Sequence, residues 1–219
     1  NFRVAPKKTL DLNGFAIVND SETTMLTESN TIYNKTGLVE DREISAIQVS
    51  KLGMLKFSTT YRPNTNIHLD YDIFGKLSEQ TEFNSVNSSN RGAVDTYLEE
   101  KPASVNQNLN LYYTIDEKNI FAAELQHLYQ KDVPLYNSIA STQPFELLPA
   151  VQENPSDLYN LFQNSKTTTN KFDAKLDYYY LLTPQSNINV RFGTTFSGQN
   201  FESDIAQKLT DGSIFNFTD

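Results

Sequence analysis

The sequence predicts an all-β chain folded as an antiparallel up-and-down meander of long strands, a β-barrel or part of one. Apolar and polar residues alternate with a period of two along several segments, which is the pattern of strands that have one apolar and one polar face. Short breaks rich in Pro, Asn and Asp join these segments in pairs, as hairpin turns do.

The clearest predicted hairpin has its turn at Thr183-Pro184-Gln185-Ser186. One face of its two strands is apolar and the other is charged or polar. This is the pattern of strands that are solvated on the polar face only. The apolar positions are Phe172, Ala174, Leu176, Tyr178, Tyr180, Leu182, Ile188, Val190, Phe192 and Phe196. The opposite positions include Lys171, Asp173, Lys175, Asp177, Asn189 and Arg191.

Two further hairpins are predicted around the turns at Arg62–Thr65 and Ile115–Asn119. An earlier pair of strands is expected at Thr9–Val18 and Glu22–Tyr33, and a last strand near Ser213–Phe217. These segments amount to eight or nine strands. They are ten to fifteen residues long, whereas strands of globular proteins have a mode of ~5–6.

Long polar segments separate the hairpins, at Ser78–Val105 and Lys131–Thr169. We expect them to be loops, with a short helix at Ser156–Asn164, so that short turns lie at one end of the strands and long loops at the other. Loops of this length are usually functional. The second segment therefore supplies the candidate binding residues Tyr136, Phe145, Tyr159 and Phe162, although they could instead pack the loop on itself.

Composition excludes several classes of function. The 219 residues carry a formal net charge of −9, which argues against a nucleic-acid surface. No cysteine is present, so neither disulfides nor cysteine-ligated metals are available. No run approaches the ~20 apolar residues of a transmembrane helix.

No catalytic or cofactor motif is found, and we expect no enzyme, no cofactor and no metal. His68, Asp70 and Asp72 would share one side of a strand, which suits a divalent metal. We interpret them instead as the polar side of that strand. The acid pairs Glu40-Asp41 and Glu99-Glu100 would point to opposite faces, so neither can act jointly on a substrate.

Three segments resemble the barrel strands of TonB-dependent outer-membrane receptors, within the outer-membrane protein beta-barrel family. They are Leu55–Asn64, Asn106–Asn119 and Lys175–Pro184, and the resemblance extends over about 44–203. It implies a bacterial outer-membrane protein that contacts outer-membrane lipid and takes up an unidentified ligand. Energy would come from an inner-membrane complex acting through a plug domain.

The chain departs from that family in two respects. Neither a plug nor a coupling motif is visible, and such a barrel needs about 22 strands. We therefore expect residues 1–219 to form one segment of a larger barrel. In that setting Tyr112-Tyr113 and Tyr178-Tyr179-Tyr180 would belong to an aromatic girdle at the bilayer interface. The alternative is a soluble all-β module that binds a ligand or glycan, and it would hide its aliphatic face in a closed core.

Overall fold

The computed structural model describes residues 1–145, 147–152, 154–183 and 185–217, and it is 79% strand with no helix. The predicted all-β, antiparallel fold is confirmed. Among the described residues, no helix has the length and apolar character needed to cross a membrane. The strands are β1 Phe2–Lys7, β2 Leu10–Tyr33, β3 Leu38–Tyr61, β4 Ile67–Ser88, β5 Gly92–Glu100, β6 Ala103–Thr114, β7 Asn119–Asp132, β8 Leu135–Ala140, β9 Tyr159–Thr183, β10 Ser186–Lys208 and β11 Ile214–Asn216.

The strands form a single antiparallel sheet in which the chain runs alternately up and down. The three predicted hairpin turns all lie at one end of the sheet, which we call the lower end. Pro184, within the third turn, is outside the described residues. The upper end carries the turns at 34–37 and 89–91 and the longest connection, residues 141–158.

Side chains in the lower turns supply the bonds that the sequence predicts for turn formers. Asn64 Oδ1 accepts from the backbone N–H groups of Asn66 and Ile67, at 2.9 and 3.0 Å. Asp116 Oδ1 likewise accepts from the N–H groups of Lys118 and Asn119, both at 2.8 Å. These bonds close each turn locally and fix where the next strand begins.

Two of the long strands are each interrupted once, at Pro102 and at Pro134. Proline has no N–H group, so the ladder loses one bond at each position. The proline carbonyls remain paired, because they accept from the N–H groups of Ser78 and Ser165, at 3.0 and 3.1 Å. Register is unchanged across both breaks. Strands β5 and β6 are therefore collinear, and so are β7 and β8.

The predicted long loops are much shorter than expected. Residues 78–105 contain the end of β4, a tight turn and all of β5, and residues 131–169 contain β8 and the start of β9. The helix expected at Ser156–Asn164 is wrong, since the chain from Tyr159 onward pairs with β8. These stretches are polar on both faces, so their sequences lack the apolar alternation that identifies a strand.

The N-terminal strands also differ from the prediction. Thr9–Val18 and Glu22–Tyr33 are not two strands but one, β2, which pairs without interruption with β3. A short strand, β1, precedes it, and the predicted last strand is confirmed as β11. The described residues therefore form eleven strands instead of the eight or nine expected, because collinear and short strands leave little trace in the residue pattern.

The sheet curls part of the way round a ring without forming a clear barrel. Within the part of the chain that the structure describes, the outermost strands, β1 and β11, do not pair with each other. The strand β1 covers only 10–14 of β2, and β11 covers only 206–208 of β10. The remaining outer edges of β2 and β10, two long strands that both run upward, have no partner strand among the described residues.

Candidate functional site: the uncharged face and the loop cavity

Among the described residues of strands β2 to β10, one face of the lower half of the sheet carries no Asp, Glu, Lys or Arg. Directly paired residues of antiparallel strands lie on the same face, so the registers assign every side chain to a face. We call this set the uncharged face. It consists of Leu10, Leu12, Gly14, Ala16, Val18, Gly53, Leu55, Phe57, Thr59, Tyr61, Ile67, Leu69, Tyr71, Ile73, Gly75, Leu77, Ala103, Val105, Gln107, Leu109, Leu111, Tyr113, Asn119, Phe121, Ala123, Leu125, His127, Tyr129, Asn170, Phe172, Ala174, Leu176, Tyr178, Tyr180, Ile188, Val190, Phe192, Thr194, Phe196 and Gly198.

The opposite face of the same strands holds the charges. Arg191 Nε donates to Asp177 Oδ1 at 2.7 Å, and Lys175 Nζ lies 3.3 Å from Glu124 Oε2. Lys171 pairs with Asp173 at 3.0 Å. The segregation predicted for the third hairpin therefore extends across the lower half of the sheet.

Charged residues mark the upper limit of the uncharged face. Asp20 pairs in register with Lys51, and Lys51 with Glu79. On β7 the limit is one row lower, because Lys131 pairs directly with Ala103. Farther along the sheet, Lys166 lies opposite Glu202. Below this limit the uncharged run covers nine residues on β3, from 53 to 61, and eleven on β4, from 67 to 77. With a ~3.3 Å rise and a ~45° tilt, eleven residues span about 23 Å, close to the ~25 Å apolar band of outer-membrane barrels.

Tyrosines lie near the lower limit. Tyr61, Tyr113, Tyr178 and Tyr180 belong to the uncharged face, and the Tyr178 ring packs against Phe121 with centroids 4.8 Å apart. Of the tyrosines predicted to form a girdle, Tyr112 and Tyr179 lie instead on the charged face. The tyrosine runs therefore divide between the two faces, as alternation requires.

Polar side chains within the uncharged face bond to one another. Tyr71 Oη donates to Gln107 Oε1 at 2.8 Å, and Gln107 Nε2 lies 3.4 Å from His127 Nδ1. His127 Nε2 is in turn 2.9 Å from Asn170 Oδ1. Because the Gln107 amide nitrogen can only donate, His127 accepts at Nδ1 and carries its proton on Nε2. The chain of bonds gives four polar side chains partners without recourse to water.

The upper end contains a cavity of about 560 Å³ beneath the connection between β8 and β9. Its lining is mainly apolar and comprises Tyr136, Pro144, Phe145, Leu147, Leu148, Leu161, Phe162, Gln163 and Ile205. Three of the four candidate binding residues, Tyr136, Phe145 and Phe162, are thus brought together. The fourth, Tyr159, is outside the lining and donates from Oη to Gln152 Oε1 at 3.3 Å.

Gln207 holds the connecting loop onto the sheet. Its side chain is only 1% exposed, and its amide makes two bonds to the backbone of Val151. Nε2 donates to the Val151 carbonyl at 2.6 Å, and Oε1 accepts from its N–H at 2.8 Å. Sequence reasoning missed Gln207, Leu161 and Ile205 because the pairing of β8, β9 and β10 that gathers them is not local in sequence.

The other candidate residues have local partners. His68 Nε2 lies 2.9 Å from Asp70 Oδ2, whereas Asp72 accepts a hydrogen bond from Ser58 Oγ and lies 3.6 Å from Lys56 Nζ. Among the described residues, no group of three or more His, Cys, Asp or Glu side chains is arranged to hold a metal ion.

The acid pair Glu40-Asp41 is divided between the two faces of β3. Glu40 accepts from Ser88 Oγ and from Tyr33 Oη, both at 2.6 Å, whereas Asp41 accepts from Asn30. The bonds from Ser88 and Tyr33 hold the pKa of the Glu40 carboxyl below its usual value. Glu40 therefore links the upper ends of β2, β3 and β4 through hydrogen bonds.

The chain matches no family model, no curated protein and no solved structure.

Proposed function

We propose that this chain forms part of the wall of a bacterial outer-membrane β-barrel receptor that takes up a ligand. The uncharged face would contact lipid, and the charged face would line the barrel interior. The observation that carries the proposal is the uncharged face itself, which runs unbroken across all the long strands at a height suited to the hydrocarbon core. Hydrocarbon cannot solvate charge, so a lipid-facing surface requires this segregation.

Side-chain exposure supports the barrel wall over a soluble binding module. Val18 is 87% exposed, Phe192 68% and Leu77 67%. Among the described residues, the buried apolar set is only Ala140, Leu161 and Ala206. A soluble sandwich buries its apolar faces between two sheets, whereas this single sheet leaves its apolar face uncovered.

The open edges of β2 and β10 support the same proposal. An unpaired strand edge exposes a row of N–H and C=O groups, and soluble proteins protect long edges against association. In a barrel wall each of these strands has a further strand beside it. The edges are then interior positions of a larger sheet and need no protection.

The upper end would serve ligand recognition. Strand lengths of 22–25 residues exceed the ~9–11 that cross a bilayer. The upper halves would therefore project beyond the membrane and carry the loop cavity with Tyr136, Phe145 and Phe162. The partners proposed are outer-membrane lipid, an unidentified ligand and, as the family resemblance implies, an inner-membrane energy-coupling complex.

Spin labelling in lipid bilayers tests the proposal. The 219 residues contain no cysteine. With any cysteine elsewhere in the full-length protein replaced by serine, single cysteines at 189 and 190 would each place a nitroxide label at a defined site. We expect the label at 190 to be accessible to oxygen, which concentrates in lipid, and the label at 189 to a water-soluble nickel chelate. Continuing the scan through 196 should produce alternation with a period of two.

Two results would count against it. Nickel accessibility at 190 with oxygen accessibility at 189 would reverse the assigned faces. Accessibility of both positions to the nickel chelate alone would favour the soluble ligand- or glycan-binding module.

A further inference from the structure

The connection between β8 and β9, residues 141–158, lies over the charged face of the sheet. Gln207, which holds this loop, is an even number of residues from Arg191 on β10, and the pairing with β9 has no register shift between them. Both side chains therefore project from the same face. Ser138, Leu161 and Gln207 form one cross-strand row beneath the loop and are 2%, 2% and 1% exposed. In the proposed barrel the charged face lines the interior, so the loop would fold inward over the upper entrance.

The loop cavity of about 560 Å³ lies between this loop and the next row of the sheet. That row consists of Tyr136, Gln163 and Ile205, which are directly paired across β8, β9 and β10. The loop contributes apolar side chains that include Phe145 and Leu148. Pockets for small molecules have volumes of about 300–1,000 Å³. The cavity is therefore large enough to enclose one such molecule on the interior side of the wall.

The loop side of the cavity is held in shape by the chain itself. Gln143 Nε2 donates to the backbone carbonyls of Phe145 and Leu148, at 3.1 and 2.6 Å. The N–H of Leu148 donates to the Phe145 carbonyl at 3.2 Å. Together with the two bonds between Gln207 and Val151, these contacts order the loop when the protein folds. A ligand then has little ordering cost to overcome on binding.

The lining determines which chemistry the cavity accepts. Its described residues include no Asp, Glu, Lys or Arg, so a charged ligand would lose hydration without gaining an ion pair. The rings of Tyr136 and Phe145 favour contact with another aromatic ring. Tyr136 Oη has no hydrogen-bond partner within the part of the chain that the structure describes. Gln163 donates from Nε2 to Ser203 Oγ at 2.9 Å, and its Oε1 can accept from a ligand.

From these observations we infer that the cavity binds one uncharged small molecule that carries an aromatic ring and a hydroxyl group. The ring lies between Phe145 and Ile205. The hydroxyl accepts from Tyr136 Oη and donates to Gln163 Oε1. This inference names the ligand class of the proposed receptor, and it rests on the proposed function, because only in a barrel does the charged face become the interior.

Isothermal titration calorimetry of the full-length protein in lipid nanodiscs tests the inference, with the heat from empty nanodiscs subtracted to remove partition into lipid. The probe is para-phenylphenol, which is uncharged at neutral pH, and para-phenylbenzoate and para-phenylbenzylammonium are its charged analogues. We expect one phenylphenol per chain, bound at least tenfold more tightly than either analogue. Ile205→Trp should weaken that binding at least tenfold, because the indole fills the cavity. Phe201→Trp is the matched control, since Phe201 lies on the same strand and face but outside the lining.

A second variant keeps the test decisive if Ile205→Trp fails to fold. Tyr136→Phe retains the ring and removes the hydroxyl, so it should weaken phenylphenol binding about fivefold, the effect of one hydrogen bond. Tyr129→Phe, at an exposed tyrosine outside the lining, should not change the binding. Equal binding by each variant and its control, or tighter binding of a charged analogue, would overturn the inference. If the spin labels at 189 and 190 still alternate, the failure concerns the cavity alone and the proposed barrel wall stands.

Discussion

His127 and Asn170 face each other across β7 and β9 on the uncharged face, and the imidazole Nε2 lies 2.9 Å from the amide Oδ1 of Asn170. The bond ends a chain that begins at Tyr71 and passes through Gln107. In a lipid environment these groups have no water to replace a lost partner.

We expect His127→Leu to destabilise the folded protein in lipid vesicles by about 1–3 kcal/mol, because the amides of Gln107 and Asn170 lose a partner. The quadruple variant with phenylalanine at 71 and leucine at 107, 127 and 170 should recover much of that loss, since it removes all four polar side chains of the network. Urea-induced unfolding from vesicles measures both. A single variant as stable as the parent would show that water reaches this network.

A substitution at the exposed residue Phe192 distinguishes a lipid-facing surface from a water-facing one. Phe192→Arg should cost roughly 2–4 kcal/mol if this position lies near the bilayer midplane. At 68% exposure in water, the same change would remain within about 0.5 kcal/mol. Asn189→Arg, on the charged face, is the control and should cost little. Unfolding from vesicles gives both values, and equal costs for the two variants would contradict the assigned faces.

The Gln207–Val151 pair should determine how firmly the connecting loop is held. Gln207→Ala removes both hydrogen bonds to the backbone of Val151, each of which contributes about 0.5–1.5 kcal/mol. We expect hydrogen exchange at 147–152 to accelerate, with little change in the lower halves of β9 and β10. Gln199→Ala, an exposed glutamine on the same strand, should leave exchange of the loop unchanged. Unaltered exchange in Gln207→Ala would mean that the loop is held by other contacts.

Acidification should loosen the upper ends of β2, β3 and β4 through Glu40. The pKa of Glu40 is lowered in the folded state, by hydrogen bonds first from Ser88 and then from Tyr33. A lowered pKa means that the ionised carboxylate adds stability above its unfolded pKa, near the usual 4.5, and that this contribution is lost as pH falls through the lower folded value.

Hydrogen exchange at the turn of residues 89–91 measures this effect between pH 6 and pH 3, after correction for the intrinsic exchange rate. Glu40→Gln should remove most of the pH dependence, whereas Glu43→Gln, an exposed acid on the same strand, should retain it. Persistence of the full dependence in Glu40→Gln would assign it to another group.

Sequence patterning identified the strands only where their two faces differ. Lys175 and Leu176 contrast strongly, and the two faces predicted for the hairpin around them agree with the structure. The upper half of β4 was taken for a loop because Ser85 and Asn84 are polar on opposite faces, which leaves no period-two signal. Such strands are specified by pairing with their neighbours, which local patterns do not record.

The candidate site was predictable to a similar degree. Tyr136, Phe145 and Phe162 were selected as aromatic residues of a presumed loop, and they line one cavity. Gln207 lies 56 residues from Val151 in the chain, and the network around His127 joins four strands. No short motif encodes contacts of that sequence separation.

The shared direction of β2 and β10 limits the number of strands in any closed ring that includes them. Both strands run upward, so joining their free edges directly would make the one parallel pair in an otherwise antiparallel sheet. An antiparallel closure must therefore insert an odd number of strands between them. The chain supplies seven long strands from β2 to β10 when each collinear pair is counted once, and seven plus an odd number is always even. The shared direction of two edge strands thus restricts an antiparallel closed ring to the even strand numbers found in single-chain bacterial outer-membrane barrels.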